Sequence, residues 1–544
     1  MPATATLSGP ASRAGARRAR PALVLGIILT VQLMVVLDAT IVNIALPDIA
    51  RALRFSPTSL SWVITAYTLA FGGFLLLGAR AGDLLGRKRV FMVGIGVFTV
   101  ASLFGGLAPS GGVLLAARAL QGLGGAFAAP SALAYLMIMF PEGRERLRAL
   151  GYYTAVSIGG GAIGLILGGV LTQFGSWRWV LFVNVPVGLV VLGLARRSLT
   201  ETPSRDGHFD VLGALTATVG VTSLAYGFAR ASSNGWGNIV TIGAFALGVA
   251  LLWRFAALER RASEPITPLR LFADRSRNAS YVARLFLVAG MFGMFFFLTQ
   301  FLQDVLGYGP LETGLAFLPF SVALFVTSQL SARRLIERFG PKPLMVVGFS
   351  FSALALLLMT QLSASSTYLW VLVPVLLFGI GNGLGFVPLT GASLAGVRPE
   401  DAGAASGLVN VTQQIGGALG LAVLVSVFGS AGRVVAGQSV ASARAAFVVG
   451  ADHAFVAATL FVGATVLVLA LAIRGRRATA RAAETAPVAP RRVHQLGPGT
   501  PLPQTIEIAS FVGSGVSVER SYEMSLAAAS ETDQERDPQL TAAG

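Results

Sequence analysis

Long apolar runs separated by short charged loops dominate the chain. Fourteen segments reach the roughly 20 apolar residues a helix needs to cross a hydrocarbon core of about 30 Å. They lie at 22–46, 58–79, 89–108, 112–139, 148–172, 177–196, 210–230, 237–256, 279–303, 313–332, 343–361, 367–394, 403–430 and 452–473. The first run is longer than the apolar core of a signal peptide, so it reads as an uncleaved first span. The pattern therefore predicts an all-α membrane protein of fourteen transmembrane helices.

The charges between the runs alternate from one side to the other. With the N-terminus inside, 25 of the 41 basic residues fall on inward segments before the C-terminal stretch. Six fall outward: Arg51, Arg54, Arg178, Arg230, Arg433 and Arg444. Cytoplasmic connections are enriched in Arg and Lys, and one missed span would scramble the alternation. Both termini are thus expected in the cytoplasm. The basic loop RAGDLLGRKRV after the second span has a faint counterpart after the tenth, RRLIERFGPKPL. This repeat divides the chain into a cytoplasmic N-terminal segment (1–21), a six-helix bundle (22–198), a two-helix insert (199–276), a second six-helix bundle (277–474) and a tail (475–544). The tail is rich in Pro, Ser, Thr and charge without a long apolar run, and is expected to be disordered and cytoplasmic.

Composition narrows the chemistry. The chain is 54% hydrophobic and 12% charged, with mean hydropathy +0.72, more apolar surface than a water-soluble globule hides. Cysteine is absent, so disulfides, thiolate metal sites and cysteine nucleophiles are excluded. The only histidines are His208, His453 and His494, which leaves little for zinc. No cofactor is expected. The net charge of +16 is scattered through the loops and forms no single stripe, which argues against nucleic acid. Lys88 and Lys342, the two lysines, are followed by Arg and Pro, so no phosphate-binding loop ends in Lys-Ser or Lys-Thr.

Four stretches carry candidate chemistry. LDATIVNIALP, Leu37 to Pro47, puts Asp38 inside the first span, where a carboxylate is costly unless it faces water or a partner. Desolvation favours protonation there, so Asp38 is a candidate proton carrier. Arg118 in the fourth span cannot usefully deprotonate and needs an anion or water. Counted from Pro47 and Gly112 at about 1.5 Å per residue, the two sit at similar depth and could meet. Arg284 is the other cation within a span. In the fifth span Gly160, Gly164 and Gly168 recur on one helix face, flanked by Gly151 and Gly169, a spacing that lets helices touch closely. The loop from Gly78 carries Asp83, Gly86, Arg87 and Lys88, a glycine turn with charges able to latch onto neighbouring helix ends.

Together these stretches resemble the signature motifs of the major facilitator superfamily, specifically the fourteen-spanner drug:proton antiporter family of the EmrB and QacA type. LDATIVNIALP is similar to its first-helix motif; Gly78, Gly82, Asp83, Gly86, Arg87 and Lys88 to its loop motif; Arg118, Gln121, Gly122 and Gly124 to its fourth-helix motif. Gly151, Gly160, Gly164, Gly168 and Gly169 fall at the spacing of its antiporter motif, and Trp177 to Trp179 with Asn184 and Pro186 resemble its sixth-helix opening. Leu165 stands where that motif has proline, and Arg80 and Leu84 also depart from the loop pattern. The resemblance implies the facilitator fold of two six-helix bundles plus two inserted helices. It also implies proton coupling at Asp38 and Arg118, a conformational latch around Asp83, and a glycine helix interface.

The function so implied is proton-driven export of antibiotics or other lipophilic toxic small molecules by alternating access, from a monomer in a bacterial cytoplasmic membrane. Candidates for the substrate cavity are Tyr67, Gln121, Tyr135, Phe296, Gln300, Asn382, Asn410 and Gln414. A neutral or weakly basic aromatic compound fits a single deep acid better than a multiply charged cation. Proton symport of a small organic nutrient is a second reading. An intramembrane enzyme is a third, disfavoured by the lack of HExxH, cysteine or a deep histidine.

Overall fold

The computed structural model describes residues 21–140, 144–202, 211–261, 269–398, 401–431 and 440–473, all within one compact unit, Met1–Ala483. The expected tail and nearly all of the N-terminal segment lie outside the described residues. Among the described residues fourteen helices are long and apolar enough to span a bilayer: α1 (Pro21–Leu53), α2 (Thr58–Leu85), α3 (Arg87–Gly106), α4 (Gly111–Met139), α5 (Arg144–Phe174), α6 (Trp179–Ser198), α7 (Val211–Ala231), α8 (Ile239–Arg261), α9 (Arg275–Val305), α10 (Pro310–Phe339), α11 (Pro341–Met359), α12 (Tyr368–Leu394), α13 (Ala404–Ala431) and α14 (Ala441–Ala472).

Several ends run past the sequence reading, those of α1 and α14 among them. Helix α1 passes through Pro47 and stops at Leu53, where Arg54 turns the chain with a φ of 54°. Helix α14 begins eleven residues early, so Arg444 rides on the helix rather than in a loop. Both extensions carry a basic residue beyond the apolar run, and hydropathy alone ends a span where the charge begins.

Packing partners repeat along the chain. In the first half α1 packs on α4, α5 and α6, α4 on α2 and α3, and α3 on α6; in the second, α9 packs on α12, α13 and α14, α12 on α10 and α11, and α11 on α14. The turns repeat as well. Gly86 and Gly340 open α3 and α11 with φ of 96° and 81°, a region L-residues disfavour. The inserted α7 and α8 pair with each other, and α7 lies against both α2 and α13.

Close approach depends on missing side chains. A Cβ at Gly78 would stand 2.2 Å from the Ala126 carbonyl of α4, and one at Gly122 would stand 2.3 Å from that of Tyr67 on α2. Lipid chains are as apolar as the helices, so backbone proximity supplies much of the association.

A buried ion pair and the seam between the halves

Asp38 of α1 and Arg118 of α4 meet in the interior of the first half, 0% and 1% exposed. Arg118 donates from Nη1 to Asp38 Oδ2 at 2.5 Å and to Gln121 Oε1 at 3.0 Å, and from Nε to the Val63 carbonyl at 3.0 Å. Its guanidinium lies 4.5 Å from the centre of the Tyr67 ring. Asp38 Oδ1 accepts from Gln121 Nε2 at 3.0 Å and Asn184 Nδ2 at 3.1 Å. Gln121 Nε2 also donates to Ser102 Oγ at 2.7 Å, while the Tyr67 hydroxyl is buried without a partner. Five helices thus converge on one carboxylate.

The magnitudes identify what matters in this cluster. Interhelical hydrogen bonds in membranes average about 0.6 kcal/mol, whereas breaking a buried ion pair by removing one partner costs roughly 3–5 kcal/mol. The amides orient the carboxylate, and the charge pair sets the energy. Depth counted from Pro47 brought the right residues together although the helix runs on past it.

The glycine face of α5 divides its work. Cβ atoms at Gly160, Gly164 and Gly168 would meet Val36, Thr40 and Ile41 of α1, all within 3.1 Å. One at Gly169 would stand 2.7 Å from Leu311 of α10, and Gly314 of α10 approaches the Leu165 carbonyl in turn. Gly151 was expected in this interface and is not: a Cβ there meets nothing within 4 Å. It shares a helix face with Gly169, since eighteen residues make about five turns. Helix α5 therefore touches α10 near one end of the bundle and parts from it toward the end bearing the basic loops. At the closed end Gln173 Oε1 accepts from Leu311 N, and Gln303 of α9 donates to the Ile44 carbonyl of α1.

At the basic end Arg87 pairs with Asp83 four residues earlier, 2.8 Å apart and half-buried. That contact is local, whereas Lys88 reaches a neighbouring helix end, with Nζ donating to the Arg196 carbonyl of α6. Glu201, unmarked by any motif, takes the Lys88 and Arg89 backbone N–H groups on its carboxylate. An acid at a helix N-terminus satisfies orphan donors and the helix dipole together. Gly78 belongs to the α2–α4 packing contact rather than to this cluster. In the second half Arg270 and Asp401 form a two-pronged pair, both contacts 2.7 Å. That hydrogen bond holds the Asp401 carboxyl below its usual range.

The eight cavity candidates do not gather in one place. Tyr67 and Gln121 belong to the ion-pair cluster. Tyr135 lies at the basic end, donating to the Thr200 carbonyl and set edge-on to Phe91. Asn382 Nδ2 donates to Ser352 Oγ of α11 and to the Phe378 carbonyl, while its Oδ1 is buried without a partner. Phe296 is fully buried against Phe297. Gln300 bonds back to Phe296 of its own helix. Gln414 presses against Gly72 at the α2–α13 contact. Asn410 alone is exposed, bonded to Ser406. Polarity within a span marked all but Phe296, and in Gln300, Asn382 and Asn410 that polarity bonds to helix backbone.

Known proteins match this architecture. The family profile described as Major Facilitator Superfamily matches residues 28–421. The puromycin resistance protein pur8 of Streptomyces alboniger is 43% identical over 475 residues, covering 86% of this chain and 94% of that protein. The cephamycin export protein CmcT of Amycolatopsis lactamdurans is 43% identical over 406 residues, covering 74% and 84%. Among solved structures, a bacterial homologue of the human lysosomal transporter Spinster superposes with a TM-score of 0.61 at 18% identity, covering 84% of this chain and 98% of that one.

Proposed function

The chain belongs to the major facilitator superfamily as a multi-pass membrane transporter, not an enzyme, and from that premise we propose that it exports antibiotic-like lipophilic molecules in exchange for protons. The observation that carries the reading is the Asp38–Arg118 pair, sealed from solvent among α1, α2, α3, α4 and α6. Intramembrane acids are expensive and mark proton or substrate pathways. The carboxylate and the guanidinium attract each other while the pair is intact. A proton arriving on Asp38 cancels the attraction and frees Arg118, which cannot itself lose a proton.

The divided face of α5 supplies the motion. By the excess of arginine and lysine on its loops, the basic end is the cytoplasmic one. The contacts at Gly169, Gly314 and Gln303 then seal the outer side, and the separation near Gly151 opens the inner side. Rocking of bundle 22–198 against bundle 277–474 along the seam where α2 meets α13 and α5 meets α10 exchanges the two seals, as alternating access requires. Local charge pairs at the basic end, Asp83–Arg87 among them, break and re-form during the change. The relatives named for antibiotic resistance and export favour this direction of transport over nutrient uptake.

Drug susceptibility tests the export reading. Efflux-deficient bacteria expressing the chain should tolerate at least one apolar antibiotic from a broad panel better than vector controls. They should also accumulate less of it until the proton gradient is collapsed. Equal sensitivity across the panel, or faster proton-dependent uptake, would count against export.

A further inference from the structure

The second half holds a buried charge that the coupling pair does not explain. Arg284 of α9 is 1% exposed. It lies nine residues into the helix from Arg275, or about 13 Å from that end. Its side chain is pinned in place and does not snorkel to the interface. Nη2 donates to Thr390 Oγ1 of α12 at 2.8 Å, Nη1 reaches Gln413 Oε1 of α13 at 3.4 Å, and the guanidinium lies 4.8 Å from the Phe386 ring centre. Nε is buried with no partner.

Among the described residues no carboxylate forms an ion pair with it. Among those residues, the hydrogen-bond and ring contacts it makes are to neutral groups. A guanidinium stays charged, and a buried charge without a counter-ion carries an uncompensated desolvation penalty. Arg118, equally buried, has Asp38. The contrast between the two arginines isolates what Arg284 lacks, an anion.

The groups around it are less sealed than Arg284 itself. Gln413 and Thr390 are half-buried, Asn410 is exposed one turn from Gln413, and a Cβ at Gly391 beside Thr390 meets nothing within 4 Å. The half-buried Phe386 adds apolar surface beside these polar groups. The unpaired Nε and the weakly held Nη1 are the donors that a planar oxyanion would engage at two points of the guanidinium fork once the helices around Arg284 part.

We propose that Arg284 receives an acidic group, a carboxylate or comparable oxyanion, on the apolar molecule being carried. This deepens the export reading and rests on it, and it departs from the neutral or weakly basic substrate that the single acid Asp38 suggests. The substrate anion supplies the missing counter-charge, so its binding removes a penalty that the empty protein carries.

Equilibrium binding to the purified full chain in nanodiscs tests the assignment, using matched pairs of aromatic acids and their primary amides: naphthoate with naphthamide, and pyrenebutyrate with pyrenebutyramide. At least one acid should bind about tenfold or more tightly than its amide, the scale of a buried charge contact. Arg284→Gln should erase that preference, the acid losing more affinity than its amide, and Arg284→Lys should restore part of it. The wild-type comparison decides alone if Arg284→Gln fails to fold: acids no tighter than amides in every pair overturn the proposal. So does a preference that survives Arg284→Gln, or competition by inorganic phosphate equal to that of the acid, which marks a bare anion site. Acid preference together with flux indifferent to a proton gradient would instead remove the antiport reading and leave the binding site standing.

Discussion

Lys88 and Lys342, the two lysines of the chain, occupy matching places in its two halves. Each stands two residues after a left-handed glycine and reaches backbone carbonyls at the end of a neighbouring helix: Arg196 for Lys88, and Ala470 and Ile473 for Lys342. The faint loop repeat in the sequence is thus a repeat of contacts. Cations near helix C-termini are worth about 0.3–1 kcal/mol, and up to roughly 2 when partly buried. Lys342→Ala should therefore lower the melting temperature more than Lys88→Ala, because Lys342 serves two carbonyls. Thermal unfolding in detergent with an unaltered elution profile measures both.

Asp38 and Arg118 should behave as a unit. Asp38→Asn keeps acceptors for Gln121 and Asn184 but strands Arg118, at a cost of roughly 3–5 kcal/mol. Arg118→Gln strands Asp38 in the same way. The double variant Asp38→Asn/Arg118→Gln should unfold at a higher temperature than either single one, while all three lose coupled transport. Additive destabilisation in the double-mutant cycle would deny the pairing. Full transport by Asp38→Asn would deny Asp38 its role as proton carrier.

The α5 glycines are predicted to differ sharply in tolerance. Gly164→Ala drives a methyl into Thr40 Oγ1, where 2.0 Å is available, and should cost about 1–3 kcal/mol together with most of the transport rate. Thr40→Ala removes that atom and should rescue Gly164→Ala in part. Gly168→Ala meets the Ile41 backbone carbonyl and should not be rescued by any side-chain change. Gly151→Ala meets nothing and should retain activity, with a slight gain from helix propensity of up to about 1 kcal/mol. Transport rates and melting temperatures of the four variants decide.

The Arg270–Asp401 pair should be silent near neutrality. Its carboxyl is depressed in the folded protein, so its contribution is fully present above the unfolded value of about 3.9 and is lost as pH falls through the folded one. The melting-temperature gap between the wild type and Arg270→Ala should stay constant from about pH 8 to 5 and narrow below about 4. A gap that changes between pH 6 and 8 would mean that another group titrates there.

The spans, Asp38 and Arg118 were legible because each is conspicuous against lipid. Twenty apolar residues in a row have few other uses, and Asp38 and Arg118 interrupt such runs. Their supporting residues were not legible as such. Ser102 leaves no mark on hydropathy, Gln121 read as a substrate ligand, and Asn184 entered only through resemblance to a motif. Glu201 sits in a loop where any acid is ordinary, and its role exists only because α6 ends beside the start of α3. Arg284 was visible as a charge within a span, but that its partners are all neutral is a property of α12 and α13, which no local pattern encodes.

The central claim is that a proton on Asp38 is exchanged for substrate, and proton movement itself tests it most directly. Purified chain in liposomes enclosing a pH-sensitive dye is given a substrate gradient with no imposed proton gradient, with membrane voltage clamped by potassium and valinomycin. Substrate flow should drive protons in the opposite direction, and Asp38→Asn should abolish the proton signal. Substrate flux with no movement of protons in wild-type vesicles would contradict the account.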